Sequence, residues 1–199
     1  MTTASASPTR NRRNRRAEIL EAAARLFAAR GFHGVPIEDI GAAVGVSGPA
    51  LYRHFSGKDA LLSEMLLDVS SRLRESAVTV VTTSPGPAES LDALLAAHIT
   101  FALEQPALIT VHDRELGNVP ERERWQIRRL QRLYVEEWVT VLAELHPSCP
   151  AARLRAATHA VFGLLNSTPH SAGELPARRM RPLLHTMARA ALTAAVKDH

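Results

Sequence analysis

Residues 36–55 read P-I-E-D-I-G-A-A-V-G-V-S-G-P-A-L-Y-R-H-F, and this stretch predicts two short helices joined by a tight turn. Helical spacing marks one buried face of the first helix, formed by Ile37, Ile40 and Val44. Gly45 follows directly and can adopt the positive φ that commonly ends a helix. Ser47 then suits the N-cap of the second helix, whose first turn tolerates Pro49.

The second of these helices has an apolar side and a polar side. Leu51 and Phe55 are four residues apart, so both can pack on the first helix. The remaining faces carry Ala50, Tyr52, Arg53 and His54. A short helix that exposes a small residue, an aromatic ring and two potential cations suits the major groove of DNA.

The longer stretch of residues 19–62 contains the pattern D-I-x-x-x-x-G-V-S-x-x-x-L-Y-R-H-F-x-x-K-D-x-L-L. It resembles the DNA-binding domain of TetR-type transcriptional regulators. The remainder of the chain is similar to that family only in being helical and of the expected length. The resemblance implies an all-α fold, with a three-helix head containing a helix-turn-helix and a helical-bundle body behind it. It also implies a homodimeric regulator of double-stranded operator DNA, most often a repressor released by a small-molecule effector.

The residues expected to contact DNA come from the helix-turn-helix and from the arginine run before it. They are Arg12, Arg13, Arg15, Arg16, Ile37, Ser47, Gly48, Pro49, Ala50, Tyr52, Arg53, His54 and Lys58. By resemblance, Tyr52 and His54 match family positions that commonly bond phosphates. Lys58 opens the next helix, where its charge and the helix N-terminal amides both favour phosphate. In the family, Thr or Ser usually stands at Pro36 and touches a phosphate, and proline cannot donate that bond.

Two alternatives to these DNA contacts stay open at this point. The arginine run is also compatible with a solvated charged segment. The two-helix motif is also compatible with a small helical domain that has ordinary exposed polar residues.

The positive charge is concentrated at the amino-terminal end. Up to Ala60 the chain has nine of its 24 basic residues and five of its 20 acidic residues, while the remainder has 15 of each. The formal net charge of +4 therefore lies entirely on the end predicted to bind DNA, as a phosphate partner requires. The first 17 residues contain no acid, which also resembles an organellar transit peptide. A basic arm is the better interpretation, because the arginines run straight into a helix without a processing site.

The helical pattern continues to the carboxyl end, with no strand-period segment and no internal repeat. Helices are predicted at residues 15–30, 58–83, 88–104, 106–116, 121–146, 151–167 and 176–196, besides the two short ones, which makes about nine. The predicted organisation is a disordered basic arm at 1–14, a helix-turn-helix domain at 15–60, and a ligand-binding and dimerisation domain at 61–199.

Composition indicates a cytoplasmic protein without a membrane partner. The single cysteine, Cys149, excludes an intrachain disulfide, and no apolar run approaches the roughly 18 residues of a membrane span. A redox-sensing role for Cys149 would need a neighbouring base and a second thiol, and neither is evident.

The body contains candidate effector-binding residues of several chemical types. They are His98, His112, Arg114, Trp125, Tyr134, Trp138, His159 and Phe162. The segment H-D-R-E at residues 112–115 is either a solvated face or the polar rim of a ligand cavity. The three tryptophan and tyrosine residues of the helix at 121–146 suit the core equally well. The histidines lack the spacing of a metal site, so neither a metal nor a cofactor is expected.

The arginine-rich start of that helix has two interpretations. Most of the arginines in residues 121–132 can form ion pairs with acidic residues on a solvent-exposed helix face. Arginines at these positions would also suit the binding of an anionic group of a ligand. The segment R-E-L-G-N-V-P at residues 114–120, with the arginine-rich helix after it, is similar to a family branch that responds to lipid-like or acyl-thioester ligands.

Small and apolar residues line one edge of each of the last two helices. These candidate dimerisation residues are Ala156, Ala160, Gly163, Leu184, Met187, Ala188, Ala191, Leu192 and Ala195. In the family the last two long helices form a four-helix dimer interface, and packing within one chain is the alternative. Dimerisation is favoured because short recognition helices usually read DNA in pairs.

Two other functional classes fit the sequence less well than a regulator does. An enzyme is disfavoured because the chain has no nucleophile elbow, phosphate loop or metal-ligand pattern. A nonspecific nucleoid protein is disfavoured because the excess charge is confined to the head and the body is neutral.

Overall fold

The computed structural model describes residues 8–171 and 173–196, with side chains from residue 14 onward. This part of the chain forms nine α-helices. They are α1 (Pro8–Arg30), α2 (Ile37–Ala43), α3 (Gly48–Tyr52), α4 (Lys58–Thr83), α5 (Pro87–Glu104), α6 (Pro106–Glu115), α7 (Glu121–Leu145), α8 (Ala151–Leu165) and α9 (Ala177–Val196). Short 3₁₀ helices follow α6 (Leu116–Asn118) and α8 (Thr168–His170), and the described residues contain no strand.

Most predicted helix boundaries lie within two residues of those in the structure, and the first helix is the exception. It begins at Pro8, seven residues before the predicted start, so residues 8–14 are helical where a disordered arm was expected. Proline is accepted at the first helical position, and arginine is a good helix former, so a polar helix can extend beyond its buried part. Residues 1–7 and the side chains of Arg12 and Arg13 lie outside the described residues.

The head has its own apolar core. The buried residues from its first three helices and the loops beside them are Ile19, Ala23, Ala24, Phe27, Phe32, Val35, Ile37, Ile40, Leu51 and Phe55. Ile37 is only 8% exposed, so it packs in this core instead of facing DNA as predicted. An apolar side chain at the start of α2 is stabilised more by burial against α1 than by contact with a phosphate.

The body core is built from the second half of α4 together with α5, α7, α8 and α9. Trp138 of α7 is fully buried near its centre. Leu184, Ala188 and Leu192 of α9 also belong to this core and are at most 5% exposed. Their predicted role in dimerisation is wrong, because they pack within their own chain, where α9 contacts α5 and α8.

The head and the body share part of one core. Leu61, Leu62, Met65 and Leu66 of α4 pack in the head core, as do Val111, Val119 and Ile127 from the α6–α7 region. The predicted domain boundary between residues 60 and 61 therefore cuts through a continuous cluster of buried side chains. The long helix α4 belongs to the head at its start and to the body at its end.

A buried carboxylate also joins the two parts. Glu115, at the end of α6, is 7% exposed and accepts a hydrogen bond from the backbone N–H of Phe32 at 3.1 Å. Its second oxygen accepts from the side-chain amide of Asn118 at 2.7 Å. Asn118 Oδ1 in turn lies 3.2 Å from His33 Nε2. The loop between α1 and α2 is thus held to the end of α6.

By length and apolar composition, no single helix of the described chain could cross a membrane. The pair formed by α5 and the segment 106–118 meets those criteria together, with a bend of 84° between its parts.

Candidate nucleic-acid interface and effector site

The turn between α2 and α3 fixes the angle of the helix-turn-helix. Gly45 has φ of +67°, as the sequence predicted, and Val46 N donates to the Gly41 carbonyl at 2.9 Å. A Cβ at Gly41 would lie 2.7 Å from the Val46 carbonyl oxygen, which is too close for any side chain. Gly41 was missed from the sequence, and a glycine inside a helical pattern was the available signal.

Helix α3 presents its polar side to solvent. Leu51 is fully buried and anchors the helix, while Ser47, Pro49, Tyr52 and Arg53 are exposed. Gly48, Ala50 and His54 are half-buried. Ser47 has the extended backbone of an N-cap, with φ −70° and ψ 154°, but its hydroxyl makes no capping hydrogen bond. The structure therefore places the predicted base-reading and phosphate-binding residues of α3 on or beside one open surface.

Arg15 and Arg16, the two arginines of the predicted arm whose side chains are described, form hydrogen bonds within the head. Arg16 donates to both carboxylate oxygens of Glu64 and to the His54 carbonyl, and its guanidinium lies 4.2 Å from the centre of the Phe55 ring. Arg15 donates to Glu18 at 2.8 Å and to the carbonyl of Val44 at 3.0 Å. Arg16 thus joins α1 to α4 and to the end of α3, and DNA contact by either arginine stays a prediction.

Lys58 also has an intramolecular role. Its ammonium donates to the carbonyls of Phe32 at 2.8 Å and Val35 at 3.1 Å, and it lies 4.5 Å from the centre of the Phe32 ring. The charge therefore stabilises the loop between α1 and α2. A phosphate would have to share this ammonium with two carbonyls, and contact of Lys58 with DNA stays a prediction.

Four of the eight predicted effector residues meet in one aromatic cluster within the body. They are His98, Tyr134, Trp138 and Phe162. The His98 ring stacks on Phe162 with centroids 4.7 Å apart and planes 1° from parallel. Phe101, which the sequence reading missed, packs against His98 with its ring edge-on, at 5.8 Å. Tyr134, Trp138 and Phe162 lie 36 to 64 residues after His98 in the sequence, so only the fold reveals the cluster.

His98 is neutral at physiological pH. It is 2% exposed, and burial lowers its pKa to about 4, against the opposing effect of its hydrogen bond to Asn166. Asn166 Oδ1 lies 3.0 Å from Nε2 and accepts a hydrogen bond from it. Nε2 therefore carries the proton, and Nδ1 accepts a hydrogen bond from the Tyr134 hydroxyl, also at 3.0 Å. Burial likewise raises the pKa of Tyr134. The cluster is therefore an uncharged environment.

The indole N–H of Trp138 is also buried in this cluster. Its neighbour is the Tyr134 hydroxyl, and its hydrogen bond to that oxygen opposes the rise in the Tyr134 pKa that burial causes.

The other four predicted effector residues lie elsewhere. His112 is half-buried at the end of α6 and contacts Gln131, while Arg114 is exposed. Trp125 is 57% exposed on the outer side of α7, and His159 is exposed on α8. These four residues lie outside the aromatic cluster around His98, which helical periodicity could not show, because it indicates only the side of its own helix on which a residue lies. Contact of any of them with an effector stays a prediction.

The exposed sides of α8 and α9 carry the remaining dimerisation residues. Ala156, Ala160 and Gly163 are exposed along α8. On α9, Met187 is 46% exposed, and Leu183, which the sequence analysis did not select, is 43% exposed. Ala191 and Ala195 are half-buried. Small residues on one helix and large apolar ones on the next form an open apolar surface.

The described side chains contain no group of three or more His, Cys, Asp or Glu residues arranged to hold a metal ion.

The chain is similar to known proteins over most of its length. Residues 19–65 match the family model described as bacterial regulatory proteins, tetR family. Residues 84–194 match the model described as the tetracyclin repressor-like C-terminal domain. The chain is 30% identical to the HTH-type transcriptional regulator BetI of Agrobacterium fabrum, over 82% of this chain and 83% of that protein. It is 28% identical to the HTH-type transcriptional repressor KstR2 of Rhodococcus jostii, over 71% and 70%.

Solved structures share the fold. A TetR-family regulator from Bordetella parapertussis superposes with a TM-score of 0.76 at 23% identity, covering 92% of this chain and 95% of that one. AibR, in complex with isovaleryl coenzyme A and operator DNA, superposes with a TM-score of 0.70 at 20% identity, covering 87% of this chain and 97% of that one. FadR from Bacillus subtilis, in complex with stearoyl-CoA, superposes with a TM-score of 0.67 at 19% identity, covering 92% of this chain and 99% of that one.

Proposed function

The chain belongs to the TetR family of bacterial regulatory proteins, and we propose that it is a homodimeric repressor released from its operator by a lipid-like ligand. The observation that carries the proposal is the exposed polar side of α3, held on a fully buried Leu51 by a glycine turn. A rigidly mounted short helix of this kind fits the DNA major groove.

The polar side of α3 divides into two roles. Arg53 is exposed at the end of α3, where its planar guanidinium suits the O6 and N7 acceptors of guanine. Tyr52 is 54% exposed and, with His54, matches family positions that bond phosphates. Because phosphate contacts position the protein while base contacts specify the sequence, substitutions at these two kinds of residue should have different effects on specificity.

The open apolar surface of α8 and α9 supports dimerisation through these two helices. Exposed Leu183 and Met187 stand beside the small exposed residues of α8. A second copy that covered this surface would remove large apolar side chains from water, at about 25 cal/mol per Å². The two heads would then read two half-sites of an operator in the cytoplasm.

The effector class follows from the body and from two relatives. AibR and FadR were solved with acyl thioesters of coenzyme A. In this chain, the uncharged aromatic cluster around Trp138 suits an apolar ligand. For release, the ligand must bind more tightly to the arrangement of heads that does not bind DNA, since equal affinity for both arrangements shifts nothing.

A gel-shift experiment with the region upstream of the protein's own gene tests the proposal. We expect a shifted band that unlabelled specific DNA removes and random DNA does not, and that decanoyl coenzyme A abolishes. Equal competition by random DNA would instead indicate a nonspecific nucleoid protein. A specific band that no acyl thioester or fatty acid affects would contradict the effector class.

A further inference from the structure

The outer side of α7 carries exposed arginines around one exposed tryptophan. They recur at three- and four-residue intervals, so they share one side of the helix over about 15 Å. The residues of this arginine stripe are Arg122, Trp125, Arg128, Arg129 and Arg132. Glu121 precedes them on the same side, so the four arginines and this acid have a net charge of +3. The stripe is therefore a local basic surface on a body whose overall charge is balanced.

The spacing of charge in the stripe differs from an ordinary solvated helix face. On α4, for example, Arg72 pairs with Asp68, four residues before it, at 2.8 Å. On α7 the residues three and four before Arg132 are Arg129 and Arg128. Like charges at these intervals destabilise a helix, whereas opposite charges stabilise it. No ion pair with another described residue offsets this repulsion, so an anionic partner would relieve it.

Trp125 lies in the middle of the stripe and is 57% exposed. The guanidinium of Arg129 lies 5.9 Å from the centre of its ring, close enough for a cation–π contact. An indole left in water gains free energy when another flat or apolar group covers it. The stripe thus presents both positive charge and an open aromatic face to a partner.

The stripe is separate from the DNA-reading surface. Ile127, on the opposite side of α7, is fully buried in the head core. The stripe therefore faces away from the head. A duplex read by α3 and a partner on the stripe would occupy different surfaces of the protein.

The partner has to be anionic and has to cover an indole on a convex surface. Small molecules bind in concave sites, which the outer side of a single helix does not provide. A lipid surface would bury little, because Trp125 is the only exposed large apolar side chain of the described helix α7. An acidic protein would need a pocket shaped for the indole.

An unpaired nucleic-acid strand meets both requirements without a pocket. Its phosphates accept charge-assisted hydrogen bonds from guanidinium groups, and its bases are free to stack on an aromatic ring. A duplex supplies the phosphates but keeps the faces of its bases inside the stack. The exposed ring therefore favours a single strand over a duplex.

We propose that the arginine stripe binds single-stranded nucleic acid, with its guanidinium groups on phosphates and a base stacked on Trp125. The site goes beyond the proposed repressor, because it involves neither the operator nor the effector. Every base has a flat face, so the site should bind strands with little sequence preference.

The two tryptophans of the chain make the test direct. Trp138 is fully buried and Trp125 is exposed, so a change in tryptophan fluorescence on adding a strand reports the stripe. The probe is a twelve-nucleotide thymidylate strand. A duplex of the same length, poly-L-glutamate and phosphatidylglycerol vesicles represent the other classes of anionic partner. A labelled strand followed by anisotropy measures affinity in variants without Trp125.

We expect the strand to quench Trp125 in the parent protein. Arg128→Gln/Arg132→Gln should bind it about tenfold more weakly, with a slope of log affinity against log salt smaller by up to about 1.4 for two lost phosphate contacts. The matched control, Arg178→Gln/Arg179→Gln, removes two exposed arginines at the start of α9 and should bind normally. Trp125→Ala should bind about fivefold or more weakly, and Trp125→Tyr, which keeps a ring, should bind nearly as well as the parent. All these side chains are exposed, so thermal midpoints should stay within about 2 °C of the parent.

Three results would overturn the inference. Unchanged Trp125 fluorescence at high concentrations of the strand would show that no base stacks there. Equal weakening in Arg178→Gln/Arg179→Gln would show that binding follows overall charge and not the stripe. A change of fluorescence at lower concentrations of the duplex, the polyglutamate or the vesicles than of the strand would give the stripe a different partner.

Discussion

Replacing Glu115 by Ala removes the acceptor of the hydrogen bond from Phe32, in the loop after α1, and of a second hydrogen bond from Asn118, just after α6. The backbone N–H of Phe32, now bonded at 3.1 Å, would be left buried without a partner, at about 1–3 kcal/mol. The bond from Asn118 at 2.7 Å would be lost as well, and with it the fixed position of Asn118 beside His33. Together these losses should lower the free energy of unfolding by about 2–4 kcal/mol.

Thermal denaturation followed by circular dichroism measures this effect. For a chain of 199 residues, a loss of that size lowers the thermal midpoint by about 5–15 °C. Glu115→Gln keeps one oxygen acceptor and should lose less than half as much. Asp113→Ala, which removes an exposed carboxylate from the same helix, should change the midpoint by no more than about 2 °C. If Glu115→Ala behaved like Asp113→Ala, the hydrogen bonds would not stabilise the junction and the reasoning would be refuted.

The other predictions concern the reading helix, the dimer surface and the buried histidine. Arg53→Ala should weaken operator binding by about 1–3 kcal/mol and leave affinity for a scrambled duplex nearly unchanged, as fluorescence anisotropy can show; equal losses would make Arg53 a phosphate contact. Met187→Glu should give folded monomers in sedimentation, and a variant that stayed dimeric would place the interface elsewhere. Leu192→Ala, in the core of its own chain, should lower the free energy of unfolding by about 2–5 kcal/mol without a direct effect on the interface. The pKa of His98 is lowered from 6.5 to about 4 in the folded protein, so the unfolded state binds more protons between those pH values. The contribution of neutral His98 to the free energy of unfolding is therefore fully present above about pH 6.5 and is lost as the pH falls toward 4. Urea denaturation of His98→Gln should therefore depend less on pH in that window than the parent protein does, and parallel curves would contradict the neutral buried histidine.

The fold was largely predictable from the sequence because its signals are local. The long helix α4 begins at Lys58 and ends at Thr83, as predicted, and Gly45 has the positive φ that its turn requires. Apolar spacing and turn residues fix such features within a few residues of chain. The early start of α1 was missed because a polar helix has no apolar spacing to reveal it.

The candidate sites were only partly predictable because their partners lie far away in sequence. Leu192 and Met187 both fit an apolar pattern on α9, and only the packing shows that Leu192 faces its own chain while Met187 faces outward. The sequence shows Arg16 and Lys58 only as cations, and it does not show that Glu64 and the Phe32 carbonyl are their hydrogen-bonding partners in the fold.

The central claim is that the protein represses transcription until an effector removes it from DNA. Run-off transcription in vitro, from the promoter upstream of the protein's own gene, tests this most directly. We expect the protein to reduce the transcript at concentrations where it occupies the operator, and decanoyl coenzyme A to restore the transcript to its level without protein. A transcript that increased on adding the protein, or that stayed repressed at saturating anion and neutral lipid alike, would contradict the account.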